Sequence, residues 1–177
     1  QEDKMKERGL ERIHRIQYGI DLDKSYWNED YPPKEIKIGY VGRIKRWKRF
    51  QQVALACQEL GYKLIFMGRR DDDEYWKEIV QAMGGEEKMN KTIEFHMNEP
   101  EEKMHDVYKQ MTVYVGNSWE GRETGTIPFL DALAIGVPVL TTLAGLAKDI
   151  IRDGENAVVL EFNNPQPDSK EWEVANK

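Results

Sequence analysis

The run Ile36-Lys37-Ile38-Gly39-Tyr40-Val41-Gly42-Arg43, followed by Phe50, Val53, Ala54 and Cys57 and then by Lys63-Leu64-Ile65-Phe66-Met67, decides the fold class of this chain. Its first and last pieces are short, apolar and partly β-branched, as buried strands are. Between them Phe50, Val53, Ala54 and Cys57 recur at the i, i+3, i+4, i+7 spacing of a helix with one apolar face. Gly61 stands where that helix should stop, because a residue without Cβ enters the left-handed region at little cost. Strand, helix, strand in this order reads as two parallel strands joined by a crossover helix.

The same rhythm continues toward the C-terminus. Strands are expected at Ile36 to Val41, Lys63 to Met67, Thr92 to Phe95, Val113 to Val115, Val137 to Thr141 and Ala157 to Glu161. Trp76, Ile79, Val80 and Met83 repeat the helical spacing before Gly84-Gly85, and Met104, Val107, Tyr108 and Met111 repeat it behind Pro100. The expected fold class is α/β, a doubly wound parallel sheet. Residues 1–35 fall outside this rhythm and read as a charged, helical start leading into an interdomain linker that ends in Pro32-Pro33. Residues 36–162 form the domain, and 163–177, with Pro165 and Pro167, read as a polar tail.

Composition bounds the function. The 177 residues suit one domain with a real core, and 5 Trp, 8 Tyr and 5 Phe argue against disorder. With 26 Lys plus Arg against 32 Asp plus Glu, the net charge of −6 argues against a broad nucleic-acid surface. Cys57 stands alone, which excludes an intrachain disulfide and a cysteine-rich zinc site. No run approaches the roughly 20 apolar residues of a membrane span, and the N-terminus lacks the apolar core of a signal peptide, so a cytoplasmic location is expected. Because the chain starts at Gln1 rather than Met, it is expected to have been processed or cut from something longer.

In an open parallel sheet, ligands bind beyond the carboxyl ends of the strands. After the first expected strand comes Gly42-Arg43-Ile44-Lys45-Arg46-Trp47-Lys48-Arg49, a glycine followed by cations around one aromatic. Such a loop suits a small polyanion, with Arg43 gripping phosphate as a fork and Lys48 as a point charge; the plainer reading is a solvated helix start. After the fourth expected strand comes Asn117-Ser118-Trp119-Glu120-Gly121-Arg122-Glu123-Thr124-Gly125-Thr126, ahead of a helix over Ile127 to Ala134. Gly125 permits close backbone approach, Thr126 can cap the helix, and a helix N-terminus behind a glycine suits an anion. Glu123 in the loop and Asp131 on the helix are two carboxylates that suit a hydroxyl-rich ligand, since ionised oxygens accept strong hydrogen bonds from sugar OH groups. Asp71-Asp72-Asp73-Glu74 contains metal-ligand residue types, but acidic residues before a helix are ordinary dipole partners. His14, His96 and His105 are not spaced as a metal set, and His96 alone of them falls at a strand end.

These residues carry a family resemblance. Tyr40-Val41-Gly42-Arg43 with Lys48 five positions on resembles the Val-Gly-Arg…Lys run of retaining glycosyltransferases of family 4, which have the two-domain GT-B fold. Glu123, seven residues, then Asp131-Ala132-Leu133-Ala134-Ile135-Gly136-Val137-Pro138-Val139 is similar to their Glu, seven residues, Glu signature and the Ala-Met-Ala-x-Gly-x-Pro-Val that follows. Ala144-Gly145-Leu146-Ala147-Lys148-Asp149-Ile150-Ile151 with Asp153-Gly154-Glu155-Asn156 is similar to the family's Gly-Gly-x-x-Glu-x-Ile…Asp-Gly-x-Asn-Gly.

The resemblance implies the C-terminal, nucleotide-sugar-binding half of a GT-B enzyme, transferring a sugar with retention from a UDP- or GDP-sugar without a separate cofactor or metal. It implies that Arg43 and Lys48 hold the donor diphosphate, with Gly42 and the backbone at Gly125 and Thr126 completing the cradle. Glu123 then positions hydroxyls of the transferred sugar, Asp131 binds ribose, and His96 lies near the base. It further implies an N-terminal acceptor-binding domain and peripheral membrane association of the full-length enzyme. Asp131 departs from the family's Glu by one methylene, and Glu120 competes with Glu123 for the first carboxylate; spacing back from Asp131 favours Glu123. A nucleotide-sugar epimerase of the same fold, and a noncatalytic receiver-like module using Asp71 to Asp73, are the alternatives.

Overall fold

The computed structural model describes residues 2–14, 16, 18–20, 29–120, 122, 123 and 127–161. Helix α1 spans Glu2–Glu7, and a parallel sheet follows with β1 Lys37–Ile44, β2 Lys63–Arg70, β3 Ile93–Met97, β4 Val113–Gly116, β5 Val139–Thr141 and β6 Val158–Val159. Helices α2 Phe50–Leu60, α3 Asp73–Ala82, α4 Glu86–Thr92, α5 Met104–Lys109, α6 Ile127–Ile135 and α7 Ala147–Ile150 are interleaved with the strands. The strand order is β3-β2-β1-β4-β5-β6, a doubly wound α/β sheet whose direction of growth reverses between β1 and β4.

Side chains alternate across the sheet and separate two cores. Tyr40, Ile44, Leu64 and Phe66 face α2, α3 and α4 in one layer, with Phe50, Ile79 and Met89. Val41, Ile65 and Met67 face α5, α6 and α7 in the other, with Tyr108, Phe129 and Ala147. Burial of an aromatic or large aliphatic side chain contributes roughly 1.5–3 kcal/mol, so both faces must be covered. The chain therefore winds in both directions from β1. Gly39 lets α5 approach the sheet, since a Cβ there would lie 2.0 Å from Met111 Sδ.

Several boundaries differ from those expected. β1 and β2 continue to Ile44 and Arg70, because Gly42 pairs with Gly68, Arg43 with Arg69 and Ile44 with Arg70. β5 begins at Val139 rather than Val137, since the Val137 N–H closes α6 on Ala132 O at 2.8 Å, behind Gly136 at φ 85°. β6 is confined to Val158–Val159, with Ala157 paired separately to Asp153. Helix α4 was not anticipated: it buries Met89 and Thr92 and takes up the start of the strand expected at Thr92. The tail over 163–177 lies outside the described residues. In the leading segment, α1 agrees with the expected helical start, and the Tyr31 hydroxyl donates to Thr112 O at 3.0 Å, anchoring the approach to β1.

Candidate functional site

The carboxyl ends of β1 and β4 meet where the sheet order reverses, the place at which open α/β sheets bind ligands. β1 passes through Gly42, at φ 150°, into Lys45, a single 3-10 turn over Arg46–Lys48, and Arg49 at φ 55°, which is the N-cap of α2. No side chain caps α2 there, so the cationic turn is held by partners from elsewhere in the chain.

Those partners come from β1 and from the loop after β4. The Trp119 N–H donates to Trp47 O at 2.9 Å, the Tyr40 hydroxyl to Lys48 O at 2.8 Å, and Asn117 Nδ2 to Arg49 O at 3.1 Å. The Arg122 guanidinium lies 5.8 Å from the Trp47 ring centroid. Within this seam Lys48 Nζ stands 2.5 Å from Glu123 Oε1, with the two side chains 15% and 8% exposed. Residues 75 positions apart in the chain thus form a nearly buried ion pair. Behind Glu123 runs Gly145 at φ 58°, where a Cβ would lie 3.1 Å from Glu123 O. Thr142 fastens the same loop, its hydroxyl donating to Ser118 O at 2.6 Å.

Asp131 is 7% exposed on α6, between the core residues Phe129 and Ala132. Burial, then the charges of Glu123 and Asp131, push the Tyr114 phenol above its ordinary range, so both motif carboxylates act on one buried tyrosine. Glu120 faces elsewhere, bonded at 2.9 Å to Lys148 in a half-exposed pair. Arg43 is half-exposed, with Nη1 3.6 Å from Asp71 Oδ2. Asp71 also lies 3.1 Å from Arg69 Nε and accepts from Lys45 Nζ through its carbonyl at 2.9 Å. Asp72 caps α3 by accepting from the Tyr75 N–H at 2.9 Å, the helix-start role its position suggested. His96 sits on the edge strand β3, 3.0 Å from Glu94, and β2 separates β3 from β1. Burial alone would raise the Glu94 carboxyl; hydrogen bonds from His96 and Lys37 outweigh it and hold that group below its usual value.

The described geometry therefore joins Gly42, Lys48 and Glu123 at the switch point, places Asp131 on the adjoining helix, and turns Arg43 toward Asp71. Gly125 and Thr126 lie outside the described residues. Tyr40 and Asn117 entered the sequence reading only as members of a motif and a loop. Their signal is a polar tip, inside β1 for Tyr40 and just past β4 for Asn117, which when buried has to find a partner nearby.

A sheet of this order with a cleft at its switch point defines a Rossmann-like α/β domain, the fold of the C-terminal domains of GT-B glycosyltransferases. Residues 23–171 match the family described as glycosyl transferases group 1, and the chain belongs to that family. It is similar to the C-terminal domain of the glycosyl transferase group 1 family protein LpcC from Francisella tularensis at 22% identity, with a TM-score of 0.68 over 89% of this chain and 85% of that one. It is similar to the lipopolysaccharide outer core galactosyltransferase WaaB, apo form, at 18% identity and TM-score 0.65, over 98% of this chain and 48% of WaaB. Anabaena Alr3699/HepE in complex with UDP-glucose is similar at 18% identity and TM-score 0.61, over 81% of this chain and 38% of HepE. The chain thus spans less than half the length of those last two proteins. No curated protein matches the sequence.

Proposed function

We propose that this chain is the donor-binding half of a retaining glycosyltransferase that takes a sugar from a nucleoside diphosphate sugar. The observation that carries the reading is the Lys48–Glu123 pair, 2.5 Å apart and nearly buried at the switch point. A cation and a carboxylate so close to the strand ends suit a ligand with an anionic group beside a polyol. In the proposed complex the donor diphosphate takes Lys48 from Glu123 and draws Arg43 from Asp71, so that both cations meet charge developing on the leaving group. Glu123, released, accepts hydrogen bonds from hydroxyls of the transferred sugar, and Asp131 binds ribose. Its greater burial relative to Glu120 supports Glu123 as the first carboxylate. The UDP-glucose named for HepE puts UDP first among bases to try. The proposal calls for no cofactor besides the donor, and an N-terminal domain supplies the acceptor. A cytoplasmic site of action and peripheral membrane contact belong to the same proposal; no helix among the described residues is long and apolar enough to cross a membrane.

Calorimetry with UDP, GDP, ADP and their sugars tests the donor half of this reading. At least one nucleoside diphosphate should bind, and Lys48→Ala should weaken it by about 1.5–3 kcal/mol, as for a charged hydrogen bond. A folded chain that binds none of them refutes the reading. Retention is read from the anomeric configuration of the product by NMR, using the enzyme with its acceptor domain; inversion would overturn it.

A further inference from the structure

Three successive carbonyls of the cationic turn accept hydrogen bonds from outside it: Trp47 O from the Trp119 N–H, Lys48 O from the Tyr40 hydroxyl and Arg49 O from Asn117 Nδ2. Arg49 O also accepts from the Gln52 N–H at 3.1 Å, as an N-cap carbonyl does. Tyr40 is 3% exposed and Asn117 3% exposed, so neither hydroxyl nor amide has water as an alternative partner. Burial first, then the neighbouring Tyr114, Tyr75 and Glu123, push the Tyr40 phenol well above its ordinary range and keep it protonated as a donor. Local bonds are few: the turn is one 3-10 turn long, closed by the Lys48 N–H on Lys45 O and the Arg49 N–H on Arg46 O, ends in a left-handed arginine and carries no side-chain cap, while Arg46 ties its start to Glu78. Tyr40 and Asn117 are the side chains that hold the carbonyls at Lys48 and Arg49.

Lysine reaches its ammonium through four rotatable bonds, so its charge is placed only as well as its backbone is. A loop that shifts by an ångström moves the charge off a diphosphate, and electrostatic stabilisation works only when the charge is already in position. We propose that Tyr40 and Asn117 are positioning residues for Lys48, which clamp its own carbonyl and that of the following Arg49 and thereby aim Nζ at the diphosphate of the donor. The inference rests on the donor-binding reading above. It adds that the lysine's affinity for phosphate is set by a buried phenol from β1 and a buried amide from the β4 loop, neither of which touches ligand.

Tyr40→Phe keeps the ring that packs on Phe50 and Phe66 and removes only the hydroxyl, while Asn117→Leu keeps the volume and removes the amide. Each is titrated with UDP by calorimetry and with uridine by NMR, alone and combined with Lys48→Ala; GDP with guanosine, or ADP with adenosine, replaces that pair if it binds better. Each variant should bind the diphosphate on the order of three- to tenfold more weakly, bind the nucleoside as the parent chain does, and add no further loss in the Lys48→Ala background. Equal weakening of nucleoside and diphosphate, additivity with Lys48→Ala, or unchanged diphosphate affinity overturns the positioning role while leaving the donor reading intact. If the parent chain binds no nucleoside diphosphate, the donor reading fails and the inference with it. The two variants act through different elements, so misfolding of one leaves the other to decide.

Discussion

Lys48 and Glu123 hold each other where neither is well solvated, with side chains 15% and 8% exposed. Removing one partner of such a pair leaves a lone charge in a poor solvent, at a cost of about 3 kcal/mol. Lys48→Ala should therefore lower both unfolding stability and diphosphate affinity, whereas Glu123→Gln, whose amide oxygen can still accept from the more exposed Lys48 Nζ, should cost less stability; urea titration measures both. Under the proposed roles, Glu123→Gln weakens nucleotide-sugar binding more than nucleoside diphosphate binding. Asp131→Asn weakens both, since ribose is common to them. A sugar-selective loss from Glu120→Gln, which sits in an exposed pair with Lys148, would assign the first carboxylate to Glu120. Spacing back from Asp131 favoured Glu123 in the sequence, yet the difference in burial between the two glutamates belongs to the folded loop.

β1 and β2 continue past their neighbours as a two-stranded ribbon, and glycines make this contact feasible. A Cβ on Gly68 would lie 1.8 Å from Gly42 O, with Gly68 at φ 152°. Gly68→Ala should destabilise the fold by about 3 kcal/mol, as overpacking does, and loosen the turn that carries Lys48; thermal unfolding and diphosphate titration check the two effects. Arg46 joins this turn to α3 through a two-bond fork to Glu78, at 2.6 and 2.5 Å. The hydrogen bond from Arg46 holds the Glu78 carboxyl below its ordinary value despite the opposing effect of burial. Its folded value is thus lower than its unfolded one, so the contribution to stability is present above the ordinary glutamate range and is lost as pH falls through the folded value. The acid limb of a stability-pH curve should be shallower in Glu78→Gln, and an unchanged limb would show that the fork contributes nothing to stability. Helix α4 shows where periodicity fails: seven residues with Met89 and Thr92 as the buried positions make less than two full turns of pattern.

The doubly wound sheet brings one wall of a cleft to a single edge, and a sugar-transfer enzyme of the proposed kind needs a second wall to carry the acceptor and exclude water. The 177-residue chain alone should therefore bind donor nucleotide weakly and transfer no appreciable sugar, whereas supplying an N-terminal acceptor domain should restore transfer. Radiolabelled donor and product analysis would measure this; efficient transfer by the isolated chain, in a preparation free of other proteins, would refute the half-enzyme reading. Alternation of β-branched runs with helical spacing was enough to specify a parallel α/β sheet, and motif order placed Lys48, Glu123 and Asp131 at its carboxyl edge, because these are local or one-dimensional properties of the chain. That Lys48 pairs with Glu123, that Arg43 turns to Asp71, and that Tyr40 and Asn117 anchor the turn depends on folding. Lys48 and Glu123 stand 75 residues apart, and Arg49 and Asn117 stand 68 apart. No period or local propensity spans such distances; the partners are chosen by which strand ends the winding of the sheet sets side by side.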